Sequence, residues 1–453
     1  MLFQTPQFIL FLLLVLVLFY AVPFRVGRFV LLAASYIFYM FWNAKFVMLL
    51  LLLTVVDFGA ALLMSSSVAN KRRMWLIIGL SANLGFLAFF KYYNFFAASL
   101  ATLIHVPEQS VLLQIVLPVG ISFHTFQSIS YLVDVYRGEQ QPVRNFGDYA
   151  LYIAFFPQLV AGPIVRAHDF FYDLHHWRPP SADVFSSGCF LILVGMVKKV
   201  VLADRFGAVA SLYFGNVAAH AGVLSAWSGA FAFAFQIYFD FSAYTDIAIG
   251  AAALFGFHFP ANFRDPYFST SVTDFWRRWH MSLSTWLRDY LYIPLGGNRH
   301  GAWATYRNIM ITMLLGGLWH GASWKFVAWG GYHGSLLSAD RLFAGRVAIP
   351  AFFRGLCTFA VISVGWVFFR ADSMHHAGII ISQMVSFHAG TWLLGPTHLL
   401  LLACAAIATR WPMLERIAHS PTWTKVAVIV CGLITLELFA AGEGTVPFLY
   451  FQF

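Results

Sequence analysis

Apolar residues fill long stretches of this chain, and polar positions fall in short clusters between them. A spanning helix needs roughly 20 mostly apolar residues. Stretches of that character begin near residues 8, 29, 46, 74, 112, 148, 187, 225, 304, 352, 377, 397 and 424. The pattern predicts an all-α polytopic membrane protein of about 11 to 13 membrane segments, some short, kinked, interfacial or re-entrant. No polar block is long enough to fold separately, so residues 1–453 read as one membrane domain. Within it, 1–110 are helices, 111–340 a core and 341–453 further helices. Phe8–Val22 has neither a basic leader nor a small-residue cleavage site, and reads as an anchor instead of a removable signal.

Two places interrupt the apolar pattern from within. Leu117–Gln127 contains Pro118 and Gly120 followed directly by Ser122, His124, Thr125 and Gln127, and Phe156–Arg166 contains Pro157, Gly162 and Pro163. Irregular backbone at membrane depth is tolerated only where protein or a water-filled space covers it, so the pair predicts an internal cavity. His168–Ser187, with mixed charges and Pro179-Pro180, reads as a loop outside the hydrocarbon. His175-His176 within it are either a solvated pair or adventitious metal ligands. No internal repeat is visible.

Composition narrows the class. The chain is 60% hydrophobic and 10% charged, which excludes a soluble globular domain. Its net charge of +9 is mostly a topology signal. Basic residues at Arg25 and Arg28, at Lys71-Arg72-Arg73, and at Arg137 and Arg144 fall in alternate loops, which places those loops in the cytosol and the amino terminus outside. Nucleic-acid binding needs a basic face on a soluble module, and none is present. The four cysteines, Cys189, Cys357, Cys404 and Cys431, lack CxxC spacing and read as packing residues. There is no sulfur-based metal site, no phosphate-binding GxxxxGK[ST] loop, no GxGxxG after a strand and no GxSxG elbow.

Three stretches carry candidate chemistry. In the first, four-residue spacing puts Gln236, Asp240 and Tyr244 on one helical stripe, and Tyr238, Ser242 and Asp246 on another. Carboxylates at membrane depth need partners, so the stripe either clamps helices together or lines a cavity and orients a histidine or substrate. In the second, Ser271 with Asp274 three residues on predicts a helix start, and Pro294 with Gly296-Gly297 its end. Phe275, Trp276, Trp279, Leu283, Trp286, Leu287 and Tyr290 gather into one apolar arc of that helix, opposite Arg277, Arg278 and Arg288. Such a helix lies along the interface or enters partway. His280 sits just beyond the edge of the arc, facing either a protein cavity or the headgroups. The arginines are either lipid-phosphate anchors or clamps for a phosphate-bearing donor.

The third stretch is Leu314–Gly334, where glycines surround His320 and His333, with Ser323 and Trp324 one helical turn beyond His320. Trp319-His320 repeats the Trp279-His280 pairing. A neutral imidazole in a dry site is a suitable general base for a hydroxyl attacking an activated acyl group. Packing of tightly crossed helices is the competing account.

In these stretches the chain resembles the membrane-bound O-acyltransferase family, within it the branch of alginate O-acetylation membrane subunits. The resemblance runs through Phe239–Asp246, Asp274–Arg299, Trp319–Gly334, Gly365–Ala371 and Phe448–Phe453. Ala243 departs from it, standing where the family pattern has glycine. The resemblance implies that His320 matches the family's catalytic histidine and His280 its second signature polar residue. Trp279 and Trp319 would wall a tunnel open to both membrane faces, with Asp240, Tyr244, Ser323, Trp324, Arg277, Arg278 and His333 lining it or touching substrate. It implies no bound cofactor and no metal, and an acyl donor such as acetyl-CoA arriving from the cytosol of a bacterium whose inner membrane holds the protein. It further implies a periplasmic acetyltransferase or SGNH-hydrolase-like partner that delivers the acetyl group to a polysaccharide. Tyr292–Arg299 looks more like this branch than the D-alanyl transfer branch. A transporter using Asp240, Asp246 and the helix breaks as a path is the reading of another class, and the lack of repeats weighs against it.

Overall fold

The computed structural model describes residues 1–66, 68–343, 349–410, 422–440 and 447–449. Of the Phe448–Phe453 signature, only Phe448 and Leu449 fall within them. Among the described residues all regular structure is helical. Among the described residues five stretches are long and apolar enough to cross a membrane: Phe24–Asn43, Lys45–Ser66, Ala69–Leu103, Ala182–Gly215 and Ala351–Arg370. Pro6–Tyr20, Pro396–Ile407 and Val428–Glu437 are shorter apolar helices. Other expected segments are shorter still or are interrupted by polar side chains. Residues 112–118 form no helix at all.

The chain divides into two compact units. The first comprises Met1–Phe185 with Ala251–Pro260. It holds α1 (Pro6–Tyr20), α2 (Phe24–Asn43), α3 (Lys45–Ser66), α4 (Ala69–Leu87), α5 (Tyr93–Leu103), α6 (Ile121–Arg137), α7 (Phe146–Ala154) and α8 (Ala167–His175). Both anticipated breaks are present. Gly120 adopts the left-handed conformation (φ 75°) at the start of α6, and a Cβ there would come within 2.5 Å of the Leu159 carbonyl oxygen. The two breaks therefore pack against each other. The loop expected at His168–Ser187 is shorter, because α8 buries Phe170, Phe171 and Leu174 on one face and exposes His168, Tyr172 and His176 on the other. The basic loops gather at one end of this unit. There Arg28 pairs with Asp148 at 2.8 Å, and Arg72 donates to the Tyr136 carbonyl at 2.9 Å.

The second unit comprises Ser186–Gly250 with Ala261–Phe453. It is built from most of α9 (Ala182–Val197), α10 (Asp204–Gly215), most of α11 (Val223–Leu254), α12 (Val272–Arg278), α13 (Met281–Leu287), α14 (Gly301–His320), α15 (Trp324–Phe343), α16 (Ala351–Arg370), α17 (Met374–Met384), α18 (Pro396–Arg410) and α19 (Thr422–Ala440). α14 and α15 form a hairpin crossing at two glycines. A Cβ on Gly317 would collide with the Phe326 carbonyl, and one on Gly330 with the Met313 carbonyl. Only hydrogen at these positions lets the two backbones approach so closely. Three of the cysteines read as packing residues, Cys357, Cys404 and Cys431, instead lie on exposed apolar faces. On a membrane helix, lipid does there what a core does elsewhere.

Candidate active site

The segment expected to be one helix from Ser271 is broken at its centre. Ser271 caps α12, its hydroxyl accepting from the Asp274 N–H at 3.1 Å. After Arg278 the chain leaves the helix, with Trp279 extended and His280 left-handed (φ 43°, ψ 55°), before α13 begins. Asn262 holds the break open. Its carbonyl accepts from the Met281 N–H at 2.9 Å and its side-chain oxygen from the Ser282 N–H at 3.0 Å. The Arg264 N–H meanwhile donates to the Arg278 carbonyl at 3.0 Å. These bonds replace those a continuous helix would have made. The break turns the imidazole inward: His280 is 1% exposed and does not face headgroups. Its ring lies 4.7 Å from that of Phe241, edge to face, and neither ring nitrogen has a hydrogen-bond partner among the described residues.

His320 is the last residue of α14 and is 9% exposed. The chain then turns, and the Ser323 carbonyl accepts from the Phe326 N–H at 3.0 Å as α15 starts. This turn removes the expected one-turn relation of Ser323 and Trp324 to His320. Trp324 is 56% exposed. Trp329 packs on the histidine, its ring perpendicular to that of His320 at 5.0 Å, as does Phe369 at 5.2 Å. The Trp319 indole lies 6.2 Å from His280 and 5.0 Å from His320, between the two. Trp279 stacks on Phe275 at 5.5 Å and leans on Trp366 at 4.9 Å.

His333 completes the cluster. It follows Trp329 by one helical turn at 4.7 Å, meets Trp276 at 5.3 Å, and is fully buried with both ring nitrogens unpartnered among the described residues. His280, His320 and His333 thus belong to one aromatic cluster, called the histidine chamber below. Buried polar atoms left unsatisfied are exceptional and mark places where water or a ligand binds.

The carboxylates lie elsewhere in this unit. Asp240 pairs with Lys199 at 2.7 Å and accepts from the Leu449 N–H at 2.6 Å, while Lys199 also holds Asp204 at 2.8 Å. Asp246 pairs with Lys198 at 2.6 Å. The Tyr244 ring lies 5.3 Å from Phe448. Asp240 and Tyr244 therefore clamp α11 to the π-helical turn Lys198–Ala203 and to the segment 447–449. The lysine partners escaped sequence reasoning, although a Lys-Lys pair inside an apolar run is itself a signal for buried acids.

Arg277 and Arg278 separate. Arg278 is bonded to Asp274 at 2.9 Å along its own helix. Arg277 lines a cavity of about 890 Å³ together with Arg288, Arg341 and Arg354, with Asp340 as an acidic wall residue. Trp276 lines that cavity and touches His333, so one indole separates the arginines from the histidine chamber. Sequence spacing gave no hint of Arg341 and Arg354, which come from α15 and α16. Among the described residues no group of three or more His, Cys, Asp or Glu is arranged to hold a metal.

Comparison with known proteins decides what this chamber belongs to. The sequence pattern of MBOAT, the membrane-bound O-acyltransferase family, matches residues 143–386. The chain is 44% identical over 418 residues to a probable alginate O-acetylase AlgI of Azotobacter vinelandii, covering 90% of this chain and 82% of that protein. The chain belongs to the membrane-bound O-acyltransferase family. It is 38% identical over 391 residues to a peptidoglycan O-acetyltransferase of Helicobacter pylori, covering 79% of this chain and 73% of that one. To a teichoic acid D-alanyltransferase of Bacillus subtilis it is 30% identical over 243 residues, 49% of this chain and 59% of that one. It is thus a multi-pass membrane O-acyltransferase, and the family match spans every histidine of the chamber.

Proposed function

We propose that the protein moves an acetyl group from acetyl-CoA in the cytosol through a bacterial inner membrane, for O-acetylation of an exopolysaccharide such as alginate. A periplasmic acetyltransferase or SGNH-hydrolase-like partner completes the delivery. The observation that carries this reading is the buried aromatic cluster of His280, His320 and His333 beside a cavity lined by four arginines. Arginine side chains suit the phosphates of a coenzyme A thioester. In the chamber the His320 imidazole takes the proton of an acceptor hydroxyl as its oxygen attacks the thioester carbon. The tetrahedral intermediate collapses, the C–S bond breaks, and the thiolate leaves with that proton. His280 positions the acceptor, and the indoles of Trp279 and Trp319 exclude water. Gathering of the basic loops at one end of the first unit supports a cytosolic end there and an outward amino terminus.

Acetyl transfer is favoured over D-alanyl transfer because the acetyltransferase relatives are more identical, and over far more of the chain. Supplying membranes that carry the protein with labelled acetyl-CoA or a labelled D-alanyl donor tests this directly. Label in polysaccharide is expected only from the acetyl donor; label only from D-alanine would overturn the assignment. The donor site has its own test. Arg277→Ala and Arg341→Ala are each expected to raise KM for acetyl-CoA about tenfold, the loss of one hydrogen bond to a charged group, with kcat little changed. A kcat defect at unchanged KM would remove these arginines from donor binding.

A further inference from the structure

Trp329 is 1% exposed, and its indole N–H has no hydrogen-bond partner among the described residues. An indole nitrogen can only donate, and a buried one normally finds an acceptor. Nothing in the packing explains this orphan, because the ring is held on all sides. His333 lies at 4.7 Å, Trp276 and Phe369 at 5.7 Å, and Trp366 at 6.1 Å. Gly330, the next residue, sits against the α14 backbone and fixes how α15 meets α14. The donor is therefore buried and has no partner among the described residues, 5.0 Å ring to ring from His320.

We propose that the Trp329 N–H is the oxyanion donor of the acyl-transfer reaction, hydrogen-bonding the thioester carbonyl oxygen as it becomes negatively charged. The proposal rests on His320 being the base. A base and an oxyanion donor must each lie about 3 Å from the reacting group, and two rings in edge-to-face contact at 5.0 Å are close enough for both to reach one group bound beside them. As the acceptor oxygen bonds to the carbonyl carbon, the C=O π electrons move onto the carbonyl oxygen. The hydroxyl proton passes to His320, and the hydrogen bond from the indole N–H to the new oxyanion shortens. When the C–S bond breaks, the C=O re-forms and the proton leaves with the thiolate. No other co-reactant is required. A fixed donor in a water-excluded site needs no reorganisation as charge develops, which is where oxyanion stabilisation is strongest.

Trp329→Phe keeps an aromatic ring and deletes the N–H. In membranes carrying the full-length chain and supplied with labelled acetyl-CoA, it is expected to lower kcat about 10²-fold, the effect of removing one oxyanion donor, with KM for acetyl-CoA unchanged. Incorporating 3-benzothienylalanine at position 329 replaces the N–H by sulfur at nearly constant shape, and decides the matter if the phenylalanine variant does not accumulate. A kcat near wild type with this isostere would overturn the proposal, as would a rise in KM that accounts for the whole loss. His320→Ala assayed in parallel separates the two readings. If it transfers acetyl normally, the base assignment fails; if it is inactive while the isostere is fully active, only the Trp329 assignment fails.

Discussion

Replacing His320 by alanine is expected to lower acetyl transfer by about 10²- to 10⁴-fold, the range that a positioned general base contributes. The ring closes the end of α14 within about 5 Å of Trp319, Trp329 and Phe369. The other two histidines make different contacts: His280 meets Phe241 at 4.7 Å, and His333 meets Trp276 at 5.3 Å. The loss should fall on kcat, because proton removal belongs to the chemical step. Labelled acetyl transfer in membranes, normalised to folded protein, is the measurement. His320→Gln keeps much of the side-chain volume and should be equally slow, whereas a packing role would let glutamine recover activity. Full transfer by a folded His320→Ala protein would end the base assignment.

Asp240→Ala is expected to destabilise the protein by about 3 kcal/mol, the lower end of the cost of leaving a buried charge without its partner. The lower end applies because Lys199 keeps Asp204 at 2.8 Å. The same substitution removes the acceptor of the Leu449 N–H, so the segment 447–449 should loosen as well. Thermal unfolding in detergent, compared with Asp240→Asn, reads the effect. Adding Lys199→Met to the asparagine variant should deepen the loss, because it also takes the lysine away from Asp204. A destabilisation of Asp240→Ala too small to measure would mean the clamp carries little of the fold's stability.

Much of the site was legible in the sequence because its signals are local. Ser271 caps a helix as its spacing to Asp274 predicts, Gly120 breaks the chain where expected, and glycines flank His320 because α14 and α15 must nearly touch. What the sequence hid depends on distant partners. Nothing near His280 announces the helix break, since Asn262, 20 residues before Ser282, supplies the bonds that stabilise it. Asp240 and Asp246 looked equally suited to a cavity or a clamp until Lys198 and Lys199 were seen beside them. Trp324 follows His320 at helical spacing, but α14 ends at His320, and the sequence did not show that Trp329 also packs its indole on the histidine. The arginine cavity draws on four separate segments, a convergence that no spacing rule can anticipate.

The left-handed backbone at His280 changes how substitutions there must be interpreted. Histidine, asparagine and aspartate tolerate that conformation better than most residues, and glycine adopts it freely. Alanine lacks their local polar contacts and is held at a cost of roughly 1–2 kcal/mol. Alanine scanning at this position would therefore merge two injuries, loss of the imidazole and a backbone pushed back toward a continuous helix. Asparagine and glycine form the informative pair, because both spare the turn and differ in whether a polar group remains.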